Sequence, residues 1–175
     1  ARGERLIREA RALARLRHPH VVTVYEVGRW NEHLFLAMEH VEGVSLGAWR
    51  TAAPRMWRDI ARVMCDVADG LAAVHELGLV HRDVKPDNIV IDGAGAARVL
   101  DFGLVADADE DAAGADCVSP SAEATSGTLT RPGTTPGTPR YMAPERLARR
   151  QATAASDQFS FGVTLYEALH RLSPF

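Results

Sequence analysis

The chain has 175 residues, 46% of them apolar and 25% charged, the balance of a globular unit that can build one real core or two small lobes sharing a hinge. Its net charge of −3 argues against nucleic acid or an anionic membrane surface as the main partner. No apolar run is long enough to span a bilayer, and no signal peptide opens the chain. The two cysteines, Cys65 and Cys117, fall in unlike contexts, an apolar helical pattern and a polar loop. A disulfide framework is therefore not expected, and a reducing, cytoplasmic setting is.

Taken in chain order, residues 2–17 predict an amphipathic helix, because Leu6, Ile7, Ala10, Leu13, Ala14 and Leu16 recur at helical spacing among arginines and glutamates. His18-Pro19-His20 stops it, since the residue before a proline is pushed out of the α region. Val21, Val22, Val24 and Val27 predict a strand, and Leu34 to Met38 a second strand antiparallel to it, with a break at Glu42-Gly43. From Met56 the period is helical again. Trp57, Ile60, Val63, Met64, Val67, Leu71 and Val74 mark a long buried helix ending at Gly78. Leu79-Val80, Ile89 to Ile91 and Arg98 to Leu100 predict short strands separated by loops, with Asp92 before Gly93 as a turn residue. Residues 106–137 hold Asp, Ala, Gly, Ser, Thr and Pro with no aromatic residue. They cannot bury enough apolar surface to offset their ordering entropy and are expected to be a long mobile loop. Ser156 can cap a last helix carrying Phe159, Phe161, Val163, Leu165, Tyr166 and Leu169.

The chemistry is concentrated in three segments: His81-Arg82-Asp83-Val84-Lys85-Pro86-Asp87-Asn88, then Asp101-Phe102-Gly103, then Gly137-Thr138-Pro139-Arg140-Tyr141-Met142-Ala143-Pro144-Glu145. Singly each is weak; in this order they resemble the catalytic loop, metal-binding loop and substrate-binding segment of the protein kinases. Lys85, and the Gly-Thr-Pro-x-Tyr form of the third segment, resemble the serine/threonine branch. The single lysine, with many arginines and alanines, fits a bacterial, eukaryotic-like (Hanks-type) member. The resemblance implies an α+β, bilobal kinase-like fold. It covers a partial N-lobe in residues 1–38 (the family's αC helix and its fourth and fifth strands). A hinge follows at 39–45, then a C-lobe in 46–175 running through helices αD to αF, with an activation segment at 101–145.

It also implies roles. Phosphoryl transfer needs positioning and charge management more than covalent help. Asp83 would take the hydrogen of a substrate hydroxyl, and Lys85 would offset charge on the γ-phosphate of ATP. Asn88 and Asp101 would hold Mg²⁺ (or Mn²⁺) through hard oxygens. Glu39, Val41, Ser45 and Val90 would meet the nucleotide, with Met38 as gatekeeper. Glu9 would be the αC glutamate. Leu13, Val24, His81 and Phe102 would stack as a spine anchored by Asp157, and Glu145 would be structural. Thr138 would tie the substrate loop to Asp83 and Lys85. Arg82 would need an anion, which phosphorylation at Thr128, Thr130, Thr134 or Thr135 would supply. The expected partners are ATP and protein substrates with Ser/Thr acceptors.

The chain departs from the family at both ends. The glycine-rich loop and the third-strand lysine are absent, which leaves Glu9 without its usual partner. Helices αG to αI are absent too, with the arginine expected to pair with Glu145. A piece of a longer enzyme, with little activity alone, is expected. The other reading is a noncatalytic kinase-like binding module, which the intact Asp83, Lys85, Asn88 and Asp101 disfavour.

Overall fold

The computed structural model describes residues 2–30, 33–103 and 138–175. Helix α1 runs Arg2–Leu13 and turns its small and apolar side chains, Ala10 and Leu13, into the interior. It stops four residues short of the expected end. The amide of Ala14 still reaches back to Ala10, but Arg15 and Leu16 bond only three residues back, the tightened turn that closes many helices.

Strands β1 (Val24–Trp30) and β2 (His33–Met38) form an antiparallel pair, with Val24 opposite Met38 and Gly28 opposite Phe35, and a register shift between Val24 and Glu26. Leu13, Val21, Val24 and Val74 are buried in one cluster, with Leu36, Leu79 and Phe102 packed against it. This cluster joins α1 and the β1–β2 pair to the rest of the molecule.

A second sheet has the order β3-β4-β5, from Gly43–Ser45, Ile89–Asp92 and Ala97–Val99, all antiparallel. Residues 43–45, at the end of the expected hinge, form a strand, because Gly43 to Ser45 pair with Asp92 to Val90. Three residues are too few to show a period in sequence. Leu79-Val80 is not a strand: the Leu79 amide returns to the Val74 carbonyl at the end of the preceding helix and has no ladder to join. The segment before β1 is pinned to this sheet, with Val22 donating to Val99 and Val99 to His20 at 3.0 and 2.9 Å.

Helix α2 (Leu46–Ala52) is capped by the Ser45 hydroxyl, which accepts from the Ala48 amide at 3.2 Å. Helix α3 (Trp57–Glu76) buries Ile60, Val63, Met64, Val67, Leu71 and Val74, one face of a 3.6-residue repeat. Its core partners are Leu46, Val84, Ile89, Ile91, Ala97 and Val99. Burial of each such side chain contributes about 1.5–3 kcal/mol. One member of the predicted face does not belong to it: Trp57, at the first turn, is 58% exposed under the Arg58 guanidinium. Cys65, within the same helix, is exposed. Gly70 lets another segment cross the helix: a Cβ there would stand 2.6 Å from the His20 carbonyl oxygen.

A short helix α4 (Pro144–Leu147) precedes α5 (Ala154–His170). The cap of α5 is Thr153 rather than Ser156. Ser156, three residues in, completes the reciprocal pair by accepting from the Thr153 amide. Among the described residues, no helix is long and apolar enough to cross a membrane.

Candidate active site

Helix α5 places Asp157 in the interior, 1% exposed, directly under the loop that follows α3. Its two oxygens accept the backbone amides of His81 at 2.7 Å and Arg82 at 2.8 Å, and Nε2 of His75 lies 2.8 Å away. This anchor holds Arg82 at φ 75°, a left-handed conformation that costs a non-glycine residue about 1–2 kcal/mol.

The His81 ring is fully buried and both nitrogens are used. Nδ1 accepts from the Asp83 amide at 3.2 Å, so Nε2 carries the hydrogen and donates to the Leu100 carbonyl at 2.8 Å. Burial pushes the ring's pKa below its ordinary value, outweighing the opposing pull of Asp157, the Leu100 carbonyl, Asp83 and Asp101. A neutral ring with both nitrogens engaged is a packing element, with neither nitrogen open to a substrate. Phe102 packs on it with ring centroids 4.7 Å apart, and Phe102 joins Leu13 and Val24 in one cluster. The four expected spine residues and Asp157 are thus contiguous.

Beyond His81 the loop brings three polar side chains together. Lys85 Nζ lies 2.6 Å from Asp83 Oδ2, and Asn88 Nδ2 donates to Asp83 Oδ2 at 2.9 Å and to its carbonyl at 2.8 Å. Lys85 and Asp83 remain partly open to solvent, while Asn88 is nearly buried. The Asn88 carbonyl accepts the Leu100 amide at 2.8 Å, which sets the strand leading into Asp101 beside this loop. Asp101 is exposed, with φ 49°. Gly103 donates to the His81 carbonyl at 2.9 Å, and a Cβ at Gly103 would lie 3.2 Å from that of Arg82. A side chain after Phe102 would crowd the loop at Arg82 and His81.

The donor set fits a hard divalent cation. Asn88 spends its amide N–H groups on Asp83, which leaves its oxygen as a ligand, and the Asp101 carboxylate is open. Among the described residues, no three His, Cys, Asp or Glu side chains converge on a metal position. A cation that takes one or two protein oxygens and fills its shell with phosphate and water suits this set, which is the habit of Mg²⁺.

Glu9, which the sequence leaves without its usual partner, has one here. Arg82 Nη2 donates to its Oε2 at 2.9 Å, with both side chains largely buried. The left-handed turn at Arg82 sends its side chain toward α1, where it meets Glu9. Arg82 thus holds an acidic partner with no phosphate involved.

The expected nucleotide residues border the second sheet. Ser45 pairs with Val90 across β3–β4. Val90 alternates with the buried Ile89 and Ile91, so this pair faces away from the core. The Glu39 amide donates to Thr23 at 2.8 Å, and its carboxylate holds Arg98 at 2.6 Å. Burial, which alone would raise the Glu39 pKa, is outweighed by Arg98 and the Thr23 amide, and the value is lowered. Met38 is 37% exposed at the end of β2, and Val41 is half-buried. Glu145 accepts from the Ser156 hydroxyl at 2.8 Å; its own backbone amide, then Ser156, lowers its pKa. Thr138 opens a 3₁₀ turn with Tyr141 at its end, but its side chain lies outside the description. So do Thr128, Thr130, Thr134, Thr135 and Cys117.

A polar cluster went unread in the sequence. Glu167 of α5 accepts the Tyr141 hydroxyl on Oε2 and Arg140 on Oε1, each at 2.5 Å, while Arg50 of α2 donates to its carbonyl at 2.7 Å. The one available signal was the adjacency of Arg140-Tyr141 to Thr138.

The protein kinase domain model matches residues 1–175. The probable serine/threonine-protein kinase pknA2 of Bifidobacterium longum is 38% identical over 173 residues, covering 98% of this chain and 21% of that protein. Serine/threonine-protein kinase PknL of Mycobacterium tuberculosis is 38% identical over 168 residues, 95% of this chain and 38% of that protein. This chain therefore spans well under half the length of either relative. The crystal structure of the Mycobacterium tuberculosis PknI kinase domain superposes with a TM-score of 0.71 at 24% identity, over 99% of this chain and 59% of that one, which shows a shared fold. A loop pinned by a buried aspartate, with Asp83, Lys85 and Asn88 gathered on it, occurs here in a chain matched along its whole length by one family, and the chain belongs to the protein kinases, among their bacterial serine/threonine members.

Proposed function

We propose that the protein carrying this chain transfers the γ-phosphate of ATP to serine and threonine hydroxyls of other proteins. The observation that carries the reading is the hydrogen-bonded group of Asp83, Lys85 and Asn88 on a loop fixed from below by Asp157. Asp83, restrained by Asn88, is the acceptor for the hydrogen of the incoming hydroxyl and aims its oxygen. Lys85, now on Asp83, sits within reach of any phosphate brought to that hydroxyl and offsets its charge. Asn88 and Asp101 are the residues to hold Mg²⁺, which when bound neutralises phosphate charge and orients the triphosphate. Ser45, Val90 and the backbone at Glu39 and Val41 border the place for adenine and ribose. His81 takes no proton in this scheme, because both its nitrogens are committed to the loop. The kinase domain acts on the cytoplasmic side, where ATP and protein substrates meet it.

The test is incubation of the full-length protein with radiolabelled ATP, Mg²⁺ and a mixed Ser, Thr and Tyr peptide substrate, followed by phosphoamino-acid analysis. Label on serine or threonine is the expected result. Label on tyrosine alone, or ATP binding with no transfer, contradicts the reading.

A further inference from the structure

The outward side of α1 takes no part in the core or in the transfer step. Ala10 and Leu13 are buried on the inward side, and Glu9 is turned to Arg82. Helical spacing puts Arg8 and Arg11 on the opposite side, with Arg15 following in the tightened turn that closes the helix. All three arginines are exposed. Together with Ile7 and Ala12, both half-buried, they line an open groove of about 650 Å³.

Among the described residues, no acid pairs with Arg8, Arg11 or Arg15, whereas Arg50, Arg82, Arg98 and Arg140 each hold one. Three guanidinium groups therefore stand in a row with like charge and no acid beside them. Like charges one helical turn apart repel, so the row costs the helix stability on its own. It suits an anion from outside, because each guanidinium presents a planar fork of N–H donors that a carboxylate can take two at a time.

We propose that this groove binds an acidic segment of a partner protein. The inference stands apart from the kinase reading. From Arg8 to Arg15 the row covers about 10 Å along the helix. In an extended segment, carboxylates at alternate positions stand about 7 Å apart, so three of them cover about 13 Å. The long arginine side chains can meet that length. Ile7, at one end of the row, offers apolar contact to an aliphatic residue flanking the acids. A lipid or nucleic-acid surface relies on long-range attraction, which the net charge of −3 opposes; a short acidic segment needs only the local row. Each exposed pair is worth about 1.4- to fivefold in affinity.

The test is fluorescence anisotropy on the full-length protein with a labelled hexapeptide. The peptide carries aspartate at its first, third and fifth positions and leucine at its last; a control peptide has asparagine in place of aspartate. The aspartate peptide is expected to bind about tenfold tighter or more, and to lose that advantage at 1 M salt, where the Debye length is roughly 3 Å. Replacing Arg8, Arg11 and Arg15 together by glutamine is expected to bring the two peptides level and to leave phosphate transfer unchanged. Equal binding of the two peptides by the wild type overturns the inference, as does an aspartate preference that survives in the folded triple variant. Tighter binding of phosphatidylglycerol vesicles than of the peptide through these arginines overturns it in favour of a lipid surface. A tenfold rise in peptide affinity on neutralising Asp107, Asp109, Glu110 and Asp111 overturns it in favour of this chain's own acidic stretch. None of these outcomes touches the kinase reading. Should the triple variant fail to fold, Arg11→Gln alone, expected to lose about 1.4- to fivefold, and the salt dependence decide the matter.

Discussion

Replacing Asp157 with alanine takes the anchor out of the catalytic loop. Three donors lose their acceptor: the amides of His81 and Arg82 at 2.7 and 2.8 Å, and Nε2 of His75 at 2.8 Å. His75 keeps 23% of its side chain exposed and can turn to water, so its loss counts for little. The two amides belong to a loop whose His81 is fully buried. A buried donor left without a partner costs about 1–3 kcal/mol, so the pair costs about 2–6 kcal/mol. Domain stabilities are about 5–15 kcal/mol in total, so Asp157→Ala should remove a large share of the stability. Asp157→Asn is the sharper test. One oxygen can still accept, but the amide nitrogen must face a second N–H donor, and the loss falls to about 1–3 kcal/mol. Urea unfolding followed by circular dichroism measures both. If Asp157→Ala lies within about 0.5 kcal/mol of wild type, the range of an ordinary surface change, the anchoring argument is wrong.

Gly70→Ala should destabilise by about 1–3 kcal/mol, the range for overpacking, although alanine is the better helix former by about 1 kcal/mol. The added Cβ would sit 2.6 Å from the His20 carbonyl oxygen, which is backbone and cannot swing away; a neutral or stabilised variant in urea would show that segment to be free to move. His81 supplies a pH dependence. Its folded pKa is lowered by burial, so below about 6.5 the unfolded chain binds a proton that the folded one refuses. The stability due to the neutral ring is complete above that pH and is lost as pH falls from there toward the folded value. The slope reaches at most about 1.4 kcal/mol per pH unit. Comparing unfolding free energies from pH 7.5 to 5 with those of His81→Phe isolates this limb, and equal slopes in the two proteins would contradict it.

What the sequence made legible follows from distance along the chain. Asp83, Lys85 and Asn88 fall within six consecutive residues, so their spacing alone brings them together. The face of α3 was readable because twenty residues repeat its period several times. Strand β3 and helix α2, at three and seven residues, are too short to show one. Trp57 was misplaced because the helical period says which face a residue lies on, but not where the partner covering that face ends. The ion pair of Glu9 and Arg82 joins residues 73 apart, and Arg50 reaches Glu167 across 117. Neither pairing leaves a local mark. That Glu9 is an acidic partner of Arg82 shows only in the fold, where α1 meets the loop.

The kinase reading is tested most directly at the acceptor for the substrate hydrogen. In the full-length protein, phosphate transfer from Mg²⁺-ATP to a Ser/Thr peptide is measured for wild type, Asp83→Asn and Asp101→Asn, with circular dichroism to check the fold. Asparagine at position 83 can still accept from Asn88 and keeps the shape of the loop, but it cannot take a proton; at position 101 it removes the ligand charge. Both variants should remain folded and lose about 10²-fold or more in kcat. Near-normal turnover by folded Asp83→Asn would contradict the assignment of this loop as the catalytic centre.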